Sequence, residues 1–577
     1  MGDVETDVLI IGTGPAGSMC AAHLSSLGVA SIAVKRYPWL ANTPRAHITN
    51  QRALECVCDL GPEIEAEFYL HGTHQDLMGE NVFCESLVGE ELGRMKSWGN
   101  HPLSRAAHQM ASPCHMIALP QTLFEPILFK TACARGTQAR MSCENIGHTQ
   151  DESGVTATIH DKLTGRDFTI QAKYLIGADR GNSFVAAQEN LPFDGHMGVG
   201  GSVNILFRAD QSRFVAHRPS VLYWVMQPGA DVGGIGMGFV RMVRPWNEWL
   251  IVWGYDINKR TPVVDAAFAT GVARQMVGDP GLEIDPISAN TWTVNNCHAT
   301  QLRSGRVFIM GDAAHRHPPS NGLGSNTSVQ DMFNLTWKLA AVQKGQAGDG
   351  LLDSYNVECA PIARQIVTRA NQSIAEFGPI FAALGMDGGV DPDKIRANMD
   401  ARADSTPAAE AQRRALRAAI AAKVYEFDAH GVEMNQRYRS DAVVTDGAPE
   451  PAFAHDPELH AQLTTWPGSR LPHAWLYPRA GGKVSTLDLC GKGRFTLLTG
   501  PGGEVWASAA EQVGAELGLP IQTHIIGPRR PVEDPVGDWA RQSEVGDSDV
   551  VLVRPDHHVG WRTTSLPVDP YSELLRA

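Results

Sequence analysis

The stretch from Asp7 to Gly17, DVLIIGTGPAG, constrains this chain more than any other. Its run of aliphatic side chains reads as an apolar strand, and the strand runs directly into Gly12, Gly14 and Gly17, with Pro15 and Ala16 between them. Each glycine has its own physical task. Gly12 turns tightly, Gly14 lets a pyrophosphate approach the backbone, and Gly17 lets the next helix pack against the strand. The helical AAHLSSLG that follows would aim its positive N-terminus at a phosphate. The pattern predicts a Rossmann-like, dinucleotide-binding unit opening an α/β fold. A glycine turn that only joins strand to helix is the alternative.

The second strand, SIAVKRYP, departs from that pattern. An acidic residue is expected about 20 positions after the glycines, where it grips a ribose hydroxyl, but Lys35 and Arg36 occupy that place. A cation suits a phosphate-bearing ligand, so Arg36 is expected along the adenosine side of the cofactor. Lys35 reads equally well as a solvated strand end.

A chain of 577 residues with 43% hydrophobic content has room for several domains with substantial cores. The net charge of −14 argues against a nucleic-acid partner. No apolar run reaches the ~20 residues of a membrane span, and MGDVETDVLI carries acids where a signal peptide carries bases, so a cytoplasmic location is expected. The ten cysteines form no CxxC pair, which speaks against a disulfide framework or a structural metal. His315 and His317 lack a further ligand at usable spacing, so no metal is expected there either.

A second constellation spans residues 306–340, RVFIMGDAAHRHPPSNGLGSNTSVQDMFNLTWKLA. A strand ends abruptly at Gly311 and Asp312, a loop rich in proline and glycine follows, and an amphipathic helix closes the segment. Asp312 is positioned to accept hydrogen bonds from a sugar-like chain. Gly322 and Gly324 leave backbone amides free ahead of a helix N-terminus that favours electron-rich groups.

Together these motifs resemble the single-component, class A FAD-dependent aromatic hydroxylases, within them the phenol hydroxylase group of dichlorophenol and hydroxybiphenyl monooxygenases. RAHITNQR (45–52), LPQTLFEP (119–126), RMVRPWNEW (241–249) and nearly all of the C-terminal part extend the resemblance over roughly the whole chain. It implies that Gly12, Gly14, Pro15, Ala16 and Gly17 hold the ADP part of FAD. Gly311 and Asp312 would bind the ribityl chain, and Pro319, Gly322, Gly324, Ser325 and Asn326 would lie against the isoalloxazine. Gln121 would be a flavin-side contact with Arg45 nearby, and Asp179 would belong to a motif linked to FAD and NADPH.

The implied organisation is a first FAD segment over 1–188, a β-sheet substrate domain over 189–297 and a completing FAD segment over 298–388. A helical connector over 389–450 and a thioredoxin-like C-terminal domain over 451–577 would follow. Cys490 stands alone in that domain, so a redox role is not expected of it. Family analogy implies a dimer or larger.

The resemblance further implies that NADPH or NADH reduces FAD and that O2 is consumed. Oxygen would pass from a flavin C4a-hydroperoxide to a phenol-like ring, ortho to its hydroxyl. A free phenol has a pKa of about 10 by analogy with tyrosine, so a base is useful, and His47 is the candidate. A loop histidine bonded to backbone is the competing reading. Tyr223, Trp224 and Met226 lie in the strand matching the family's substrate-facing strand, although an aromatic stripe is more often core. Pro319 and Ala118 are also placed beside the substrate.

Two departures stand out. Where the family group has an aspartate before LPQ, this chain has Ala118; His47 then acts alone, His115 substitutes, or the substrate is more acidic, as a hydroxypyridine is. Where the family's DG motif has glycine, this chain has Arg180, which would favour the extra phosphate of NADPH. A disulfide reductase would need a second glycine fingerprint and a cysteine pair; GIGMG at 234–238 lacks the spacing. A flavin halogenase would need a WxWxIP stretch, which is absent. A larger phenolic natural-product intermediate as substrate, and a flavin- or aromatic-ligand-binding protein without catalysis, are the alternatives kept.

Overall fold

The computed structural model describes residues 4–228, 237–258, 261–386 and 391–577. Most of GIGMG (234–238) and the boundary expected near 388–389 lie outside the described residues.

Strand β1 (Val4–Ile11) leads into helix α1 (Pro15–Ser26) and strand β2 (Ser31–Lys35). β1 pairs in parallel with β2 on one side and with Arg166–Gly177 on the other. This interior position explains its unbroken aliphatic run, because both faces are covered. Beyond Arg166–Gly177 lies the parallel strand Val307–Ile309. The carboxyl ends of these neighbouring strands therefore bring Gly12, Arg36, Asp179 and Gly311 to one edge of the sheet, the place where open α/β sheets bind ligands.

Strand β3 (Ile48–Thr49) precedes helix α2 (Gln51–Cys58), and strand β4 (Ile117–Ala118) precedes helix α3 (Gln121–Ala134). β4 pairs antiparallel with β3, Ile48 opposite Ala118. Alternation along β4 sends Ile117 into the core of the nucleotide domain and Ala118 into that of the second domain. This small sheet is the wall between the two cores.

The second domain is built on an eight-stranded sheet that includes β5 (Leu222–Met226) and β6 (Met237–Arg244). The expectation of a single segment over 189–297 needs adjustment. Glu80–Cys84 and Glu91–Lys96 extend the sheet beyond β5, and His315–Arg316 closes its other edge. Those additions cover edges that would otherwise present unpaired backbone groups.

Helix α4 (Leu323–Gln343) returns beneath the first sheet, and α5 (Asp353–Ala375) follows it. Short helices between Pro392 and Met434 form the connector. In the C-terminal domain, strand β7 (Phe495–Thr499), helix α6 (Glu504–Leu517) and strand β8 (Ile521–Ile525) make a parallel βαβ unit. Strands β9 (Val550–Val553) and β10 (Val559–Thr563) then add antiparallel, before helix α7 (Pro570–Arg576). The order β8-β7-β9-β10 is the thioredoxin-like arrangement. Cys490 is buried in this domain, and burial pushes its thiol pKa up.

This domain joins the rest through buried charge. Glu358 on α5 accepts from Arg554 at 2.6 and 3.0 Å, from Lys338 at 2.6 Å and from Ser440 at 2.6 Å. Asp556 in turn binds Arg554 and the Trp337 indole at 2.5 and 3.1 Å. Every charge here has an opposite partner, the condition under which a buried network is tolerated.

Candidate active site

The nucleotide end of the site is shaped by what a methyl group would strike. Gly12 has φ +105°, and a Cβ there would stand 2.1 Å from the Ala178 carbonyl oxygen; at Gly17 it would stand 2.0 Å from the Gly12 oxygen. Gly14 is different, because a Cβ would meet nothing closer than 3.9 Å, so its neighbourhood is open. Helix α1 has Gly14 as N-cap, Pro15 in its first turn and no side-chain cap. Its first amides are therefore free for a phosphate.

The two sequence motifs, almost three hundred residues apart, meet here. A Cβ on Gly311 (φ +61°) would lie 3.0 Å from the Ala16 side chain. Asp331 accepts the Gly311 amide at 3.0 Å and binds His315 at 2.8 Å, which holds the turn that presents Asp312. Burial opposes charge on His315, but the Asp331 carboxylate raises its pKa. Asp312 itself is exposed. The loop continues through exposed Pro319 and left-handed Gly322 into α4, whose first turn, with Gly324 and Ser325, also lacks a side-chain cap. His317 binds the Pro318 carbonyl at 2.6 Å.

Several expected contacts are spent on the protein itself. Asn326 accepts from the Asn50 amide at 3.1 Å and donates to the carbonyls of Ile48 and Gly322 at 3.0 and 2.6 Å, so it ties the loop to β3. Gln121 accepts from the Ala46 amide at 3.4 Å and donates to Glu125 at 2.6 Å, which anchors the Arg45 segment. The Asp179 carboxylate accepts from the Ser183 hydroxyl at 2.5 Å and from the amides of Phe184 and Val185, capping a short helix. These three residues shape the site through hydrogen bonds to backbone and to neighbouring side chains.

Arg36 and Arg180 flank the Tyr37 ring, their guanidinium carbons 5.0 and 4.5 Å from its centre. Burial would raise the Tyr37 pKa, yet the two guanidinium groups pull it down. Arg36 also pairs loosely with Glu144 at 3.6 Å. Both cations stand at the strand ends beside the glycine turn, with exposed faces available to phosphates.

The substrate end rests on His47. Its carbonyl accepts from the Leu119 amide at 2.6 Å, and its Nδ1 is enclosed without a partner. Burial, assisted by the nearby Arg241 cation, drives its pKa well below the ordinary value. Arg241 opens the RMVRPWNEW stretch, to which the resemblance assigns no role. It is 2% exposed, and it donates to the Arg45 carbonyl at 2.5 Å and to the Pro44 carbonyl. No carboxylate among the described residues pairs with it, and burial lowers its pKa to about 9, which still leaves it cationic at neutral pH. A charge flanked on both sides by apolar residues, as Arg241 is by Val240 and Met242, is the sequence signal that marks it.

Strand register sorts the aromatic candidates. Leu222 stands opposite Arg241, Trp224 opposite Phe239 and Met226 opposite Met237. Directly opposed residues share a face, so Trp224 and Met226 lie on the side from which Arg241 reaches the His47 segment. Tyr223 points the other way. It is fully buried, its hydroxyl donates to the Arg218 carbonyl at 3.0 Å, and it belongs to the core. Trp224 donates to Asn81 at 3.1 Å and is ringed by Phe239, Phe377 and Phe427. Ala118 presents only a methyl group where a carboxylate was expected. His115 precedes β4, outside the strand, and its ring stacks on Tyr69 at 4.4 Å.

Residues 5–370 match the FAD binding domain family, and 464–577 match the aromatic-ring hydroxylase C-terminal family. The chain belongs to the FAD-dependent aromatic hydroxylases. It is 51% identical over 575 residues to 2,4-dichlorophenol 6-monooxygenase of Cupriavidus pinatubonensis (strain JMP 134 / LMG 1197), covering 100% of this chain and 96% of that one. It is 48% identical to phenol 2-monooxygenase of Pseudomonas sp. (strain EST1001), covering 99% and 92%. Among solved structures, the flavin-dependent monooxygenase PieE, in complex with FAD and substrate, superposes with a TM-score of 0.95 at 42% identity over both whole chains. The hydroxylase is thus a flavoprotein monooxygenase that uses FAD, O2 and a reduced nicotinamide. Its glycine turn, uncapped helix ends and free Asp312 fit FAD physically. No described helix is long and apolar enough to cross a membrane.

Proposed function

We propose that this hydroxylase inserts one oxygen atom into a phenol, ortho to its hydroxyl, at a site between β5, β6 and the His47 segment. The observation that carries the reading is the pairing of a neutral imidazole with a buried, uncompensated cation. His47 has an unpartnered Nδ1, and Arg241 has no carboxylate among the described residues. A phenol bound there gives its proton to His47 and becomes the anion that Arg241 lacks. Formation of that anion in turn makes the imidazolium easier to hold. Bound FAD supplies the activation of O2 and the electrophilic oxygen. Trp224 and Met226 provide apolar cover that excludes water, and Ala118 leaves space beside the hydroxyl.

Gly12, Gly14, Pro15, Ala16 and Gly17 are assigned to the pyrophosphate, Arg36 to the adenosine side and Asp312 to the ribityl chain. Pro319, Gly322, Gly324 and Ser325 are assigned to the ring. NADPH is the favoured reductant, because exposed Arg180 offers a guanidinium group to a further phosphate. A cytoplasmic enzyme fits the supply of that reductant, and a dimer or larger completes the reading.

Similarity to 2,4-dichlorophenol 6-monooxygenase and phenol 2-monooxygenase supports simple phenols as substrates. Ala118 favours a second reading, a hydroxypyridine or a bulkier phenol, because it offers room and no second base. The deciding experiment is NADPH consumption stimulated by phenols, biphenylols and hydroxypyridines, with product mass measured. A gain of one oxygen on 2,4-dichlorophenol supports the first reading. Turnover confined to hydroxypyridines or bulky phenols supports the second, and silence across the panel overturns both substrate readings.

A further inference from the structure

Behind the loop assigned to the flavin ring lies a buried ionic cluster with no part in the chemistry described so far. Lys423 and Glu426, both in the connector, form an ion pair at 0% and 1% side-chain exposure. The Lys423 Nζ donates to the Ser373 carbonyl at 2.5 Å and lies 3.8 Å from the centre of the Phe377 ring. Glu426 receives the hydroxyl of Ser320. Ser373, on α5, donates its hydroxyl to the Asn321 side-chain oxygen at 2.8 Å, and Asn321 donates to the Tyr425 carbonyl at 2.7 Å. Arg369 backs the group, bonded to Ser373 at 3.2 Å and paired with Glu376 and Glu458.

What this cluster grips is a strained turn. Asn321 is a non-glycine residue at φ +62°, directly before Gly322 at φ +64°, and such a strained conformation persists only where its surroundings enforce it. Without the anchors, Asn321 would relax and carry Ser320 and Gly322 with it.

We infer that Lys423, Glu426 and Ser373 are positioning residues that hold the Ser320–Gly322 turn, and so set where the flavin ring lies relative to His47 and Arg241. This rests on the reading that the Pro319–Asn326 loop lies against that ring. A connector that looks like mere support thereby reaches the reacting centre, since a displacement of about 1 Å there can cost 100-fold in rate.

The test uses the FAD-loaded enzyme with Glu426→Gln and Lys423→Met, reading flavin content, product formed per NADPH and thermal midpoint. Both variants should keep FAD while product per NADPH falls about tenfold and hydrogen peroxide rises. Adding Asn321→Gly should restore much of the coupling, because glycine adopts the left-handed turn unaided. Wild-type coupling in both folded variants, or a lowered thermal midpoint with wild-type coupling, overturns the inference. Gly324→Val separates the two failures. If it disturbs flavin or coupling while the connector variants do not, only the inference falls. If it too is silent, the loop is not at the flavin and both fall.

Discussion

Arg241 donates to the carbonyl of Arg45 at 2.5 Å, so a strand of the large sheet holds in place the segment that carries His47. One cation thus does two things. It fixes the backbone beside His47, and it lowers the affinity of that imidazole for a proton.

Replacing His47 by alanine should leave FAD binding and NADPH oxidation intact while hydroxylation falls roughly 100-fold, the usual worth of a general base. Hydrogen peroxide should account for the reductant consumed. Product and peroxide assays on the same sample check this, and unchanged coupling would remove His47 as the base.

Arg241→Met keeps much of the side-chain volume and removes the charge. Phenol turnover should fall by about 100-fold, and the pH at which the variant becomes active should move upward, because the phenolate loses its counter-ion. A pH profile of kcat/KM distinguishes this from simple loosening of the loop, which lowers activity equally at all pH values.

Asp312→Ala should purify largely colourless, since its exposed carboxylate accepts no hydrogen bond among the described residues and its loss would cost the proposed ribityl contact. Gly17→Ala should fail more severely, because its methyl group would overlap the Gly12 carbonyl at 2.0 Å. Flavin-to-protein absorbance ratios measure both; a fully flavinated Asp312→Ala protein would end that assignment.

Glu358→Gln should destabilise the protein by roughly 3–5 kcal/mol, the expected cost of breaking a buried ion network. Burial alone would raise the Glu358 pKa, but Arg554 and Lys338 hold it far below the usual carboxylate range. The stabilisation is therefore complete above about pH 4.5 and is lost as pH falls from there. Denaturant unfolding of variant and parent at pH 7 gives the difference directly.

His473 and His558 in the C-terminal domain are buried, and burial lowers each pKa to about 4. A depressed native pKa means that the unfolded chain binds more protons between pH 6.5 and 4. Stability is therefore full above pH 6.5 and declines below it, by on the order of 3 kcal/mol per histidine at most. Thermal midpoints from pH 7.5 to 4.5 should show that decline; a flat profile would count against buried neutral imidazoles.

The nucleotide half was readable because its constraints are local. A glycine that must avoid the next carbonyl by a fraction of an ångström leaves the same signature wherever the fold recurs, and so does the Gly311-Asp312 turn. The strand and helix signals of the last domain were local too, while its thioredoxin-like arrangement was implied by the family resemblance. Asn326, Gln121 and Asp179 hold intraprotein hydrogen bonds, and no sequence pattern says which of their polar atoms a fold will use in that way.

What the amino-acid order determined by itself is the set of short-range devices: the Gly12–Gly17 turn, the strand before Asp312, the amphipathic helices and the absence of a carboxylate at Ala118. Tertiary structure alone decided the rest. Strand register placed Trp224 and Met226 on the side of Arg241 and sent Tyr223 into the core, a choice that a one-residue slip would reverse. It also brought Arg241 to His47, Ala16 to Gly311 and Lys423 to the turn at Asn321. Those pairs are distant along the chain, and only burial of both partners in one low-dielectric interior makes their charges and shapes matter to each other.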